Sequence, residues 1–187
     1  MIALYVVIGV VVVLGIMLFM QYNSLVRQRN QVQNSWSQID VQLKRRHDLI
    51  PNLIETAKGY MKFERETLEA VTKARTSAVE AGGRGVGQQA KAEGELSGIL
   101  TRFFAVAESY PDLKANQNFL ALQEELTSTE NKISFARQFY NDSVLNLNNK
   151  VQQFPSNIVA GMFGFKVGEF FELEAPAERE VPKVSFT

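Results

Sequence analysis

The chain has 187 residues, and its 20 Lys and Arg are balanced by 20 Asp and Glu, with one His and no Cys. The zero net charge argues against a nucleic-acid partner, for which an excess of basic residues is the expected electrostatic signature. The absence of cysteine excludes disulfides and thiolate zinc sites. All of the Lys, Arg, Asp and Glu residues lie beyond residue 20, so the remaining part, about 165 residues, has the composition of one soluble domain.

The N-terminal stretch over residues 2–20 is uncharged and almost wholly apolar. As an α-helix it would be about 28 Å long, close to the ~30 Å hydrocarbon core of a bilayer. No Lys or Arg precedes it and no small-residue cleavage motif ends it, which favours an uncleaved span over a secretory signal. We predict a transmembrane helix over residues 1–21, with Tyr5 and Tyr22 at the membrane interfaces, where amphipathic rings are favoured.

Positive charge lies on one side of this stretch. Arg27 and Arg29 follow Met20 within ten residues, and further Lys and Arg residues come later. Because Lys and Arg close to a span tend to stay in the cytoplasm, we expect an outward N-terminus and a cytoplasmic domain.

The membrane helix is expected to continue as the first helix of a bundle, because residues 21–46 contain neither Pro nor Gly. Apolar residues recur there at helical spacing: Leu25, Val32, Trp36, Ile39, Leu43 and Ile50. A break is predicted at residues 47–51, since Pro51 lacks an amide donor and Asp48 is a suitable N-cap for a new helix.

Three further helices are predicted, over about residues 63–81, 88–108 and 113–153. Residues 82–87 are glycine-rich and are predicted to form a loop, since they lack the preceding strand and the G-x-x-x-x-G-K-[ST] pattern of a phosphate-binding loop. The last helix is the longest periodic segment, and with the first helix it should form the spine of an antiparallel bundle. The expected apolar residues are Leu68, Val71, Ala74 and Ala78; Ala92, Leu96, Ile99, Phe103 and Val106; and Phe119, Leu122, Leu126, Ile133, Ala136, Tyr140, Val144, Leu147 and Val151.

The predicted fold class is therefore all-α. A single N-terminal transmembrane helix should continue into an antiparallel up-and-down helical bundle of four to five helices. The expected divisions are a transmembrane helix over 1–21, the helical bundle over 22–155, an aromatic and glycine-rich segment over 156–174, and an extended tail over 175–187.

The aromatic segment follows Pro155, and its rings lack the spacing of a regular core helix: Phe163, Phe165, Phe170 and Phe171. Such rings could cap the bundle, dock on a neighbouring subunit or touch a membrane surface. We predict these four residues as oligomer or partner contacts.

The densest positive cluster is formed by residues 44–47, with the sequence K-R-R-H. A straight helix would place Arg46 about 39 Å beyond Met20, well outside a Debye length of the membrane surface. Pairing within the chain, or contact with a neighbour, is therefore favoured over a contact with anionic lipid.

The residues give no support to catalysis. His47 is the only histidine, and without cysteine the usual nucleophile–base pairs and His-based metal clusters cannot be assembled within one chain. Carboxylates occur at helical spacing, as in Glu66 with Glu69, but none forms the E-x-x-H pair of di-iron bundles. We expect no catalytic residue, no metal site and no cofactor.

Several separated motifs resemble the LemA family. They are YNSLVRQRNQVQNSWSQIDVQLKRRHDLIPNLIETAKGY over 22–60, YPDLKAN over 110–116, FLALQEELTSTENKI over 119–133, RQFYN over 137–141 and FP over 154–155. The resemblance implies a bacterial single-pass protein of the inner (plasma) membrane, with an outward N-terminus and a cytoplasmic helical bundle. It brings no established catalytic residue or cofactor.

Two functions fit these features. The first is a membrane-anchored scaffold that self-assembles through its cytoplasmic bundle and organises or remodels the inner membrane. The second is an adaptor or sensor module that binds another membrane protein, such as a protease or a sensor kinase. The expected partners are the lipid bilayer and further copies of the chain, with another membrane protein under the second hypothesis.

Gly9 and Gly15 lack the G-x-x-x-G spacing, so we assign self-assembly to the soluble part.

Overall fold

The computed structural model describes residues 1–172. Within these residues there are six α-helices and no β-strand, which confirms the all-α prediction. The helices are α1 (Ile2–Lys58), α2 (Arg65–Ala81), α3 (Val86–Ala107), α4 (Pro111–Lys114), α5 (Gln117–Gln152) and α6 (Ser156–Phe163). The predicted tail over 175–187 lies outside the described residues.

The chain divides into two compact units. The first unit contains residues 1–40 and 134–170. The second contains residues 41–133 and, of the described residues beyond them, Phe171 and Glu172.

Helix α1 is continuous from Ile2 to Lys58, so the apolar stretch and the amphipathic stretch after it are one helix, as expected. Residues 2–20 are exposed throughout. Among residues 1–172, α1 is the one helix long and apolar enough to cross a membrane. The helix has no break where it leaves the apolar stretch, since nothing in residues 21–50 interrupts its backbone hydrogen bonds.

The predicted break at residues 47–51 is wrong, because α1 continues through Pro51. Pro51 has no backbone N–H. It therefore cannot donate a hydrogen bond to the backbone carbonyl of His47, four residues earlier, as another residue in a helix would. In the structure, Nε of Arg75 on α2 donates to this carbonyl oxygen at 2.7 Å. A side chain from another helix therefore replaces the donor that proline removes, and Asp48 is an exposed residue inside α1 rather than an N-cap.

The second unit is a four-helix bundle made by the end of α1, α2, α3 and the start of α5. Helices α3 and α5 run antiparallel. Ser97 on α3 pairs with Glu130 on α5. Further along α3, Phe103 lies beside Phe119, which comes earlier on α5. The predicted apolar side of α2 is confirmed, since its four residues are all buried. The buried side of α3 also includes charge, because Glu93 is buried while the predicted core residue Ala92 is half-buried.

The predicted helix over 113–153 is interrupted. Helix α4 ends at Lys114 and α5 begins at Gln117. Between them, Oδ1 of Asn116 accepts a hydrogen bond from the backbone N–H of Phe119 at 3.1 Å. Asn116 thus acts as an N-cap, a role for which its side chain is well suited and which starts a new helix there.

The first unit contains the start of α1, the end of α5, α6 and the segment after α6. Leu25 of α1 is buried with Val159 and Ala160 of α6, and the Trp36 ring lies 5.3 Å from that of Tyr140 on α5. Gly164 ends α6 in the left-handed conformation (φ 68°), which glycine adopts without steric cost.

The segment after Gly164 runs back along α5. The side-chain amide of Asn148 donates to the carbonyl oxygen of Gly168 at 3.1 Å and accepts from its N–H at 2.7 Å. The hydroxyl of Tyr140 donates to the carbonyl oxygen of Glu169 at 2.9 Å. A Cβ at position 168 would lie 3.3 Å from a methyl of Val144, so glycine permits this close approach.

The replacement of a missing backbone donor by Arg75 can be tested with a double-mutant cycle. Arg75→Met should destabilise the protein by about 1–2 kcal/mol, because it leaves the His47 carbonyl without a partner. In a Pro51→Ala background the restored N–H of residue 51 can bond to that carbonyl, so the cost of Arg75→Met should fall by at least half. Urea denaturation of the detergent-solubilised chain, followed by circular dichroism, measures both values. Equal costs in the two backgrounds would contradict the compensation.

Candidate functional site

A buried ion cluster lies in the second unit, at the basic stretch noted in the sequence. Arg46 is 1% exposed, and its guanidinium pairs with the carboxylates of Glu93 on α3 and Glu130 on α5. It also donates to Oγ of Ser97 at 2.7 Å. Nε2 of His47 lies 3.0 Å from a carboxylate oxygen of Glu93. One guanidinium thus connects three helices of this bundle.

The prediction of pairing within the chain is confirmed for Arg45, Arg46 and His47. Arg45 forms an ion pair with Glu125 on α5, beside the buried cluster. Lys44 is exposed. The charges of this stretch therefore serve mainly to join α1 to α3 and α5.

Glu93 is held as a carboxylate by its surroundings. Burial by itself would raise its pKa, but the contact with His47 and the charge of Arg46 outweigh this, so the pKa of Glu93 lies below its ordinary value. A buried charge that is paired on two sides is tolerated, whereas an unpaired one is costly. The cluster is therefore suited to fixing the arrangement of the helices.

The sequence contained a signal for this cluster that the apolar pattern alone misses. Ile39, Leu43 and Ile50 are buried, and Arg46 lies between them at the same three- and four-residue spacing. A lone Arg in an apolar helix stripe predicts a carboxylate on a facing helix. Which carboxylates these are depends on tertiary packing. Among residues 1–172, no group of three or more His, Cys, Asp or Glu is placed to hold a metal ion.

A second candidate surface lies in the first unit, where the apolar stretch of α1 ends. The Tyr22 ring lies 4.8 Å from that of Phe163 and 5.9 Å from that of Phe165. The guanidinium of Arg29 lies over the Phe165 ring at 5.3 Å, a cation–π distance. The structure thus brings together three of the residues singled out from the sequence.

The other residues singled out from the sequence lie elsewhere. Tyr5 is exposed within the apolar stretch of α1. Phe170 is half-buried, and Phe171 is buried within the chain. Of the four phenylalanines, Phe163 is the most exposed, at 58%. That these rings contact another chain stays a prediction, and Phe163 is the one that is best placed to do so.

The family model of the LemA family matches residues 35–186. The chain belongs to the LemA family. It is 31% identical to the Protein LemA of Metamycoplasma hominis over 140 residues, covering 74% of this chain and 63% of that protein.

Other relatives are named for the magnetosome. The chain is 27% identical to the Magnetosome protein MamQ 2 of Paramagnetospirillum magneticum and 26% identical to the Magnetosome protein MamQ of Magnetospirillum gryphiswaldense. Each match extends over 184 residues and covers 86% of this chain and 67% of the relative. Neither the family description nor these names specifies a reaction, a substrate or a cofactor.

If the ion cluster stabilises the bundle, Glu93→Gln should lower the free energy of unfolding by an amount that depends on pH. At pH 7 this change should destabilise the protein by about 3 kcal/mol, because it leaves the buried Arg46 short of a counter-charge. Since the pKa of Glu93 is depressed, its contribution is present above the unfolded value of 4.5 and is lost as the pH falls through the folded pKa. The difference from wild type should therefore shrink below pH 4.5.

The matched control is Glu95→Gln, two residues along α3 and exposed. It removes the same charge from the surface and should change stability by less than about 0.5 kcal/mol. Urea denaturation between pH 3 and pH 8 measures both variants. Equal effects of the two substitutions at pH 7 would show that the cluster does not stabilise the bundle.

Proposed function

We propose that this chain is a membrane-anchored structural protein that self-assembles through its cytoplasmic helical domain and organises or remodels the bacterial inner membrane. The main support is the form of α1. Its residues 2–20 are exposed and almost wholly apolar, and the same helix then packs against other helices. A bilayer is the environment in which such an exposed stretch is favourable. Arg27 and Arg29 after the span favour the cytoplasmic side for the domain.

The proposed role is not catalytic and needs no cofactor. The single histidine is engaged with Glu93, in a cluster that joins helices and has no neighbouring nucleophilic cysteine. The neutral net charge gives no reason to add nucleic acid to the partners. The proposed partners are the bilayer and further copies of the chain.

The exposed apolar surface of α5 supports self-assembly. Phe135 is 73% exposed, and Phe139, one helical turn later, is 44% exposed. Two phenylalanines on one helix face, exposed to water within the soluble part, are typical of a contact surface. We propose this pair as a contact between copies, in addition to the predicted contact at Phe163.

Assembly can be tested on the detergent-solubilised full chain by negative-stain microscopy and mass photometry. We expect multimers at micromolar concentration, and we expect Phe135→Glu with Phe139→Glu to reduce them to monomers. Val79→Glu on α2 is the matched control, because Val79 is about as exposed as Phe139. Replacing residues 2–20 by polyleucine should leave the multimers intact. Wild-type particles that are all monomers would contradict the proposal.

Photo-crosslinking in cells distinguishes the adaptor hypothesis from the self-assembly hypothesis. A photoreactive amino acid at position 135 or 163 should give adducts between copies of the chain. Adducts with one foreign membrane protein, and none between copies, would instead favour the adaptor or sensor function.

A further inference from the structure

Helix α6 is apolar on two opposite sides. On one side Val159 and Ala160 are buried against Leu25 of α1. On the other side Ile158 and Met162 lie one turn apart and are 51% and 68% exposed. Phe154, just before the helix, is also exposed. No charged residue occurs from residue 151 to residue 165. An exposed apolar side on a helix whose other apolar side is already buried favours an apolar environment on the outer side as well.

The position of α6 within the first unit indicates what that environment is. Phe163 at its end contacts Tyr22, which is two residues beyond the last residue of the apolar stretch. A groove beside this point is lined by Phe19, Met20 and Lys150, so the end of α5 lies at the same level. The outer face of α6 therefore continues the apolar surface of residues 2–20.

The charged residues that come first after the apolar stretch and on either side of α6 in the sequence are basic, although the whole chain is neutral. Residues 21–39 and 143–168 contain four basic residues and no Asp or Glu: Arg27, Arg29, Lys150 and Lys166. Cations flanking an apolar surface match the anionic headgroups of the cytoplasmic leaflet, with the apolar side chains below them. The basic residues and the apolar side chains thus both favour the membrane interface as the environment of the outer side of α6.

We propose that α6 lies in the cytoplasmic interface of the bilayer, with Ile158 and Met162 against the acyl chains and the flanking Arg and Lys residues against anionic headgroups. The inference rests on the proposed anchoring through residues 2–20. It gives the protein a second membrane contact beside the span, and this contact restricts the tilt of the span and its rotation about its own helix axis.

Site-directed fluorescence can test this contact, because the chain has no cysteine of its own. Met162→Cys, labelled with the polarity-sensitive dye NBD, is reconstituted as the full chain at one copy per nanodisc of phosphatidylcholine and phosphatidylglycerol. Lipids brominated on their acyl chains should quench this label by about half and its emission should be blue-shifted. Phe135→Cys is the matched control, since it is exposed in the same unit but lies about 22 Å along α5 from Lys150; it should not be quenched.

Val12→Cys, within the proposed span, separates failure of this inference from failure of the anchoring. If Val12→Cys is quenched and Met162→Cys behaves like Phe135→Cys, the interfacial placement of α6 is wrong and the anchoring stands. If Val12→Cys is not quenched either, both proposals are wrong. A blue shift at position 162 that appears only with several chains per disc would overturn the inference in favour of a second copy as the occupant.

Discussion

The unbroken backbone hydrogen bonding of α1 is the constraint on which the rest of this structure depends. Inside a bilayer each backbone N–H and C=O must be paired within the segment, so residues 2–20 can cross only as a helix. Residues 21–50 contain nothing that ends that helix, and at Pro51 the hydrogen bond from Arg75 replaces the missing donor. The apolar stretch and the residues that pack against α5 and α6 in the first unit are consequently parts of one helix. A change in the tilt of the apolar stretch must then also move the surface formed by α5 and α6.

The buried cluster around Arg46 sets the arrangement of the helices in the second unit. An apolar residue at this position could pack in several registers, but the guanidinium reaches Glu93, Glu130 and Ser97 together in one arrangement. Such a cluster adds less net stability than its number of contacts suggests, because burying charges is costly. Its main effect is to make alternative arrangements unfavourable, since each would leave a buried charge unpaired.

Apolar spacing and helix-capping preferences predicted the parts of the fold that depend on residues close together in the chain. The apolar spacing was sufficient for α2, whose four predicted core residues are buried. Prediction failed where a distant side chain decides the outcome, as for Arg75 at Pro51 and for Glu93 on the buried side of α3. The break before α5 lay within reach of sequence reasoning, because Asn116 is a good N-cap residue. The contact between Tyr22 and Phe163 could not be predicted from the sequence, since it joins residues far apart in the chain.

The central claim is that the apolar stretch over residues 2–20 and the residues of α1 that follow it are one unbroken helix. Hydrogen exchange of the full chain in nanodiscs, read residue by residue, tests it most directly. The backbone amides of residues 21–34 should exchange slowly and without a gap, whereas those of the glycine loop over residues 82–85 should exchange within seconds. Fast exchange confined to residues 22–24 would show a hinge directly after the apolar stretch and would contradict the claim.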